Sequence, residues 1–553
     1  MTKKDSTSDF VVLIIILTFA GASFFLNLGD IPFWQDEGET AVVSSNLLEN
    51  KIPVSWDGKN LVSSLNGADF NSDFVWTWHP WVQFYVTAAS FWVLGKSTFA
   101  GRIPFALCGF FTVWLLYFVT VKLTDNKRIG LLATFFLATN LQFILFCRQC
   151  RYYALLPLFT LLMVYAVTFL ETKKGFCIFA CSAVLLFHSN YASFPFIMFG
   201  LFCYLVMYRD NRKLKNFFYS LIPIVLLTVP WFIYAKAYLR KPQSPSSGKL
   251  HEYIVQLTDL LYLVNQVALP LLLMLPAIYF LFKRKAVYKN ALMVSLAVVL
   301  PVIFLLPFVS YTQYIVGMRY ATGIIPLLCL IGALSIVNLY SVRKWFGISL
   351  FLCFILTDLL VWIPAYGFRL AAGESGKYKI FPIAEEINTA LTGKSVYADF
   401  FYEIMYHFKS PIEGISDFLN SKSEPGDVVL TNYERDPLIF YTGRRMAYIL
   451  SDDEAFCNSI PAAPYDPSLK NKLPDYIFSI DNIGWIVERS NYPTRLFDFN
   501  ALKERLEKEG LIEKVYKLDY PDLPWSNRED IRYHKFKTPD GYPQVTIFKL
   551  RRR

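Results

Sequence analysis

PWVQFYVTAASFWVLG, residues 80–95, is the apolar stretch whose placement decides the topology of everything after it. A bilayer core asks for about 20 apolar residues per helix, so this run sits at the edge of being a span. Firmer candidates are Phe10 to about Leu28, then 103–121, 129–147, 152–170, 175–188, 191–207, 217–234, 257–282, 290–309, 320–340 and 346–363. Suppose 80–95 does not cross. Lys122–Arg128, Glu171–Lys174, Arg209–Lys215, Lys283–Lys289 and Arg343-Lys344 then share the side of Lys3-Lys4. Basic loops mark the cytoplasm. If 80–95 did cross, the later basic loops KRKAVYK and RDNRKLK would both lie outside. The expected topology is therefore about eleven transmembrane helices with a cytoplasmic N-terminus. Residues 80–95 become an amphipathic or re-entrant juxtamembrane helix on the outer surface.

Composition agrees with a membrane protein. Hydrophobic residues make up 54% and charged residues 18%, against about 25% charged in soluble chains. Charge is sparse to about residue 365 and dense beyond it. The expectation is a polytopic α-helical membrane domain over 1–365, with an external loop at 29–102, followed by a soluble extracytoplasmic α/β domain over 366–553. In that second domain, helical patterns at 412–422 and 499–509 alternate with the strand-like runs VVLTNY, AYIL, DYIFSI, GWIVE and VTIFKL. The polar stretch LPWSNREDIRYH (523–534) reads as a surface loop, or as a partner or glycan contact. The net charge of +10 does not point to nucleic acid, because much of it sits in short loops between apolar runs. Ala20-Gly21-Ala22 has the look of a signal-peptidase site, yet the apolar run continues past it, so an uncleaved helix is expected. Cys147 and Cys150 form a C-x-x-C that reads as small residues at a helix end.

The residues able to carry chemistry gather at the outer helix ends. Asp36 and Glu37 follow Trp34 in the first external loop, where they either serve a site or open a helix whose dipole favours acids. Arg148 and Arg151 bracket another outward turn, followed by Tyr152 and Tyr153, and Arg319-Tyr320 repeats the pairing. Outward arginines run against the positive-inside trend. They suit a lipid phosphate or pyrophosphate, since guanidinium makes planar bidentate contacts with phosphate; the competing reading is interfacial snorkelling. His79 and His188 also fall at the outer surface, and with Asp36 or Glu37 they could ligate a divalent metal. Trp34, Trp56, Trp76, Trp78 and Trp81 crowd the first loop, as interfacial anchors or as sugar-stacking faces.

Taken in order, these pieces resemble the GT-C membrane glycosyltransferases related to protein O-mannosyltransferases and lipid A aminoarabinose transferases. The similarity covers about residues 10–340. It consists of W-x-D-E (Trp34, Asp36, Glu37), H-P-x-x-x-x-Y (His79, Pro80, Tyr85), A-G-R-I-P (Ala100 to Pro104), R-x-x-R-Y-Y-A-L (Arg148 to Leu155) and R-Y-x-x-x-x-x-P (Arg319, Tyr320, Pro326). The resemblance implies a polyprenyl-phosphate-linked sugar as donor, Asp36 at the reacting centre and Glu37 as its helper or ligand. Nucleotide sugars are cytoplasmic, so an external transferase needs a donor delivered through the membrane. The chain departs from some members in having Gln149, Cys150, Tyr152 and Tyr153 where a second acid would stand. That speaks against a two-carboxylate mechanism and a tightly bound metal.

The expected function is a hexosyl- or pentosyltransferase of the plasma (inner) membrane acting on an external lipid, glycan or protein acceptor. Asp36 and Glu37 are the expected catalytic acids. Arg148, Arg151 and Arg319 would bind the donor phosphate, and Trp34, Tyr152, Tyr153 and Tyr320 the sugar or acceptor. Glu37, His79 and His188 are the candidate ligands of a divalent metal. A non-catalytic transporter or lipid-binding protein is the alternative, although the spans carry few charges at mid-depth, where transporters place them. A sensor or assembly module built on the C-terminal domain is a third reading.

Overall fold

The computed structural model describes residues 3–64, 67–240, 250–282, 288–309, 317–372, 396–407, 409–448, 471–477, 482–489, 499–523, 527–529, 531, 534–537 and 541–551. Outside them lie the 242–248 loop, Cys457 and parts of the predicted AYIL and DYIFSI strands. The N-terminal two thirds is helical. Five helices are long and apolar enough to cross a membrane: Ser8–Phe25, Thr98–Thr124, Asn211–Tyr234, Lys289–Phe308 and Met318–Val342. Three further pairs meet the same test only jointly, each bent at a short break. They are Lys127–Ala138 with Leu141–Cys147 (65°), Tyr253–Ala268 with Leu271–Tyr279 (86°), and Lys344–Leu356 with Leu359–Phe368 (77°). Among the described residues the spans thus number five, or up to eight if each bent pair counts once. Three of the eleven expected spans, 152–170, 175–188 and 191–207, fold as the shorter helices Leu155–Val167, Lys173–Ser189 and Phe194–Tyr208, so this length test does not reach eleven.

The breaks separate the count of five from that of eight. At the first, Asn140 caps the second half by accepting from Phe143 N, and its amide donates to Val267 O and Ala268 O at 3.4 and 2.8 Å. Asn265 accepts from Leu271 N at 2.9 Å and donates to Val361 O at 2.7 Å. Each polar side chain thus satisfies backbone groups that a neighbouring break would leave bare in an apolar setting. Hydropathy averaged over a window does not register one asparagine in an apolar run. The bend at Asn140 turns Leu141–Cys147 aside and delivers the Arg148–Arg151 turn toward the first external loop.

That loop begins with α1 (Lys3–Phe25) behind it and holds α2 (Gln35–Asn50) and α3 (Val82–Leu94) before α4 (Thr98–Thr124). At 13 residues, α3 spans only about 20 Å and falls short of a ~30 Å hydrocarbon core. Its tip exposes Trp92, Val93 and Leu94, as a helix resting in the interface would. Helix α2 is buried from Glu37 to Leu47, polar residues included. It lies between α3 and the helix Arg435–Thr442 of the C-terminal region. A side chain on Gly38 would reach within 2.4 Å of Pro437 N, so this crossing requires glycine.

The described strands of the C-terminal region form one mixed sheet, β1 (Val428–Thr431), β2 (Arg445–Met446), β3 (Ile483–Glu488), β4 (Ile512–Pro521) and β5 (Gln544–Leu550), in the order β2-β1-β3-β5-β4. Strands β1, β2 and β3 pair in parallel, and β5 runs antiparallel to both β3 and β4. VVLTNY, GWIVE and VTIFKL became strands; DYI is a single 3-10 turn instead. This region is docked firmly. Gln35 donates to Asp436 Oδ2 at 2.7 Å, and Tyr441 OH accepts from Phe33 N at 2.8 Å while lying 2.7 Å from Thr98 Oγ1.

Candidate active site

The first turn of α2 organises the site. Trp34 precedes the helix in an extended conformation, and Glu37, three residues on, reaches back toward Trp34 N. Glu37 is fully buried. Arg102 from α4 grips it through two parallel bonds, Nε to Oε1 at 2.8 Å and Nη2 to Oε2 at 2.7 Å. Cys150 N donates to Oε1 at 2.7 Å and Asn527 Nδ2 to Oε2 at 3.3 Å. The carboxylate therefore ties α2, α4, the Arg148–Arg151 turn and the C-terminal region together. With both oxygens engaged, Glu37 is placed as a structural clamp, which replaces the catalytic and metal-binding roles expected of it.

Asp36, one residue earlier, faces the other way. Its Oδ2 accepts from Arg319 Nη1 at 3.0 Å and lies 3.6 Å from Arg151 Nη2. Burial pushes its pKa up, but Arg319, Arg151 and Arg528 outweigh that and hold the carboxyl below its ordinary range. Asp36 is ionised at neutral pH. Arg151 is shared with Glu39, donating to Oε1 at 2.7 Å and to Thr40 Oγ1 at 2.9 Å. The Asp36 side chain is 20% exposed and that of Glu39 only 2%. Of the two acids on Arg151, Asp36 is therefore the one a substrate can reach.

Glu39 is a different kind of acid. Burial, with Asp36 and Asp69 nearby, raises its pKa to about 7 despite the attraction of Arg151. The folded protein thus holds a proton there that an unfolded chain, titrating near 4.5, releases. Stability is expected to fall as pH rises from about 4.5 to about 7 and to level off above that. Melting curves in detergent across this range should show the slope, and Glu39→Gln should flatten it. An unchanged slope in that variant would assign the effect to other groups.

The other residues separate into those that join the cluster and those that do not. Trp34 is buried, with Arg528 Cζ 4.3 Å and Arg319 Cζ 5.4 Å from its ring centre, so it supports guanidinium groups where a sugar platform was expected. Its indole N–H donates to Gln149 Oε1. Tyr152 and Tyr153 are buried as well, Tyr153 with Arg319 5.9 Å from its ring centre, while Tyr320 is only partly buried. Arg148 points elsewhere, donating to Ser23 O and Phe24 O at 3.0 and 3.2 Å at the C-terminal end of α1. Its charge suits that helix end, and the expected phosphate contact is corrected to a cap. Arg148→Gln should lower the melting temperature by a cost of about 1–2 kcal/mol without weakening phosphate binding. Weaker binding by a normally folded variant would contradict this placement.

The three candidate metal ligands do not converge. His79 Nδ1 lies 3.6 Å from Glu39 Oε1, and burial first, then Arg151, Arg240 and Arg319, holds the ring well below its usual pKa and hence neutral. His188 Nε2 instead lies 3.0 Å from Leu227 O and its ring packs on Trp231. Among the described residues no group of three His, Cys, Asp or Glu is placed to hold a metal ion. Conversely, four members of the site were not singled out in the sequence: Arg102, Glu39, Arg528 and Glu529. Arg102 stands inside A-G-R-I-P, while the last two come from the 523–534 stretch, which carries no local sign of where it docks.

Comparison with known proteins bears on the same segments. A family model described as dolichyl-phosphate-mannose-protein mannosyltransferase matches residues 78–234. The crystal structure of ArnT from Cupriavidus metallidurans bound to undecaprenyl phosphate is similar over 97% of both chains, with a TM-score of 0.56 at 13% identity. ArnT from the same organism in the apo state gives 0.54, again at 13% identity over 97% of both chains. No curated protein sequence matches significantly. At such identity the structural likeness is one of fold.

Proposed function

We propose that this chain is a GT-C-type glycosyltransferase that moves a sugar from a polyprenyl phosphate to an acceptor outside the cytoplasmic membrane, with inversion; the family match over residues 78–234 and the ArnT-like fold support this. The observation that carries this reading is the placement of Asp36. It is a partly accessible carboxylate held between Arg319 at 3.0 Å and Arg151 at 3.6 Å. A polyprenyl phosphate presented there meets two guanidinium groups suited to its phosphate. The distribution of basic residues among the loops supports an external placement of this face and a cytoplasmic N-terminus.

The chemistry follows from the geometry. The acceptor hydroxyl oxygen attacks the anomeric carbon, forming the new glycosidic bond. The bond from that carbon to the phosphate oxygen breaks, and its electron pair leaves with the polyprenyl phosphate. The hydroxyl proton passes to Asp36. Arg151 and Arg319 meet the charge that develops on the leaving phosphate. As they turn toward it their hold on Asp36 weakens, which raises the basicity of a carboxylate that begins as a poor base. Tyr320, the one partly exposed aromatic of the four considered, is the sugar or acceptor contact. The docked C-terminal region, which reaches α2 through Asp436, helps to select the acceptor.

The test is an assay with purified protein, lipid-linked radiolabelled sugars and envelope acceptors. Transfer of label with release of polyprenyl phosphate is expected. Absence of any transfer across hexosyl and pentosyl donors, from protein that binds the carrier lipid, would reject the reading.

A further inference from the structure

Arg319 is held by two acids from opposite ends of the chain. Its Nη1 donates to Asp36 Oδ2 at 3.0 Å, and its Nε donates to Glu529 Oε1 at 2.5 Å. Glu529 is fully buried, and its second oxygen has no hydrogen-bond partner among the described residues. Burying a carboxylate with one oxygen unmatched is costly. Docking alone does not call for it, because the neighbouring backbone is already secured. Gln142 accepts from Ile531 N at 3.0 Å and donates to Glu529 O at 2.5 Å, while Gln149 donates to Asn527 O at 3.3 Å. These bonds, together with Asn527 Nδ2 on Glu37, hold the segment in place, and the charge at 529 is additional.

Resting on the glycosyltransferase reading above, we infer that Glu529 is a positioning residue of the active site, supplied by the C-terminal region, which aims Arg319 at the leaving phosphate and limits how tightly that phosphate is held. Two consequences follow from one contact. A guanidinium bonded through Nε keeps the edge carrying Nη1 directed toward Asp36. The negative charge of Glu529 also opposes an incoming anion beside Arg319, so product polyprenyl phosphate is released more readily. Turnover gains from both effects, whereas affinity for the phosphate is reduced by the second.

The full-length protein with Glu529→Gln separates this role from a structural one. Undecaprenyl phosphate binding is measured directly, alongside turnover and melting temperature. The variant is expected to bind undecaprenyl phosphate roughly tenfold more tightly and to turn over at least about tenfold more slowly, the scale of one charge-assisted hydrogen bond. Glu529→Asp, which keeps the charge on a shorter arm, should restore affinity to near the wild-type value while turnover stays low. Unchanged affinity and turnover in Glu529→Gln would overturn the inference. So would weaker binding that merely tracks loss of folded protein. If Glu529→Gln fails to fold, wild-type turnover in Glu529→Asp overturns it. Folded wild-type protein that does not bind undecaprenyl phosphate would instead reject the functional reading, and this inference with it.

Discussion

Asp36→Asn is expected to reduce glycosyl transfer by about 10²–10⁴-fold, the usual contribution of a general base, while leaving the protein folded. Asparagine keeps the shape and one acceptor oxygen for Arg319, which also retains Glu529. What is lost is the ability to take the acceptor proton. Removing a partly buried charge spares some desolvation but leaves Arg151 with Glu39 alone as its acid, so the net effect on stability should be small. Initial rates with lipid-linked sugar, read beside the melting temperature, separate the two. A variant that transfers at a rate within about threefold of wild type would exclude Asp36 as the base.

The largest effect on stability is expected from Arg102→Met. The substitution strands Glu37 as a buried carboxylate, and breaking such a pair by removing one partner typically costs about 3–5 kcal/mol. The consequence should spread, because Glu37 also accepts from Cys150 N and Asn527 Nδ2. Low yield and a lowered melting temperature are expected, together with loosened docking of the C-terminal region, seen as faster proteolysis. Arg102→Met combined with Glu37→Gln should recover part of the loss, since the uncompensated charge is then gone. A single variant that melts like wild type would show that the clamp is dispensable.

Much of the membrane architecture was legible because it depends on local apolar runs. Within PWVQFYVTAASFWVLG a helix of 13 residues forms, and Asp36 and Glu37 stand in the first turn of a helix. The three bends were not legible, since a capping asparagine costs little hydropathy in a window of about 20 residues. Strand β4 was missed for another reason. It lies at the sheet edge, where IEKVYKLDYP is mostly exposed or half-buried and carries charges that blunt a strand signal.

The site divides the same way. Asp36, Arg151 and Arg319 stood out as charges at outer helix ends, and the structure gathers them. Arg148 stood out equally, yet it is three residues from Arg151 across a turn, and spacing alone does not say that the two point to different places. The stretch holding Arg528 and Glu529 stood out only as a surface loop or a partner or glycan contact, because their contacts with Trp34 and Arg319 join positions more than two hundred residues apart. A surface-like NRED run gives no hint of burial.

The decisive observation is the position of phosphate density in a cryo-EM map of this protein with undecaprenyl phosphate. The phosphate is expected between Arg151 and Arg319, within hydrogen-bond reach of both and beside Asp36. Phosphate seated on Arg148 at the end of α1, or away from Asp36 altogether, would contradict the proposed donor site.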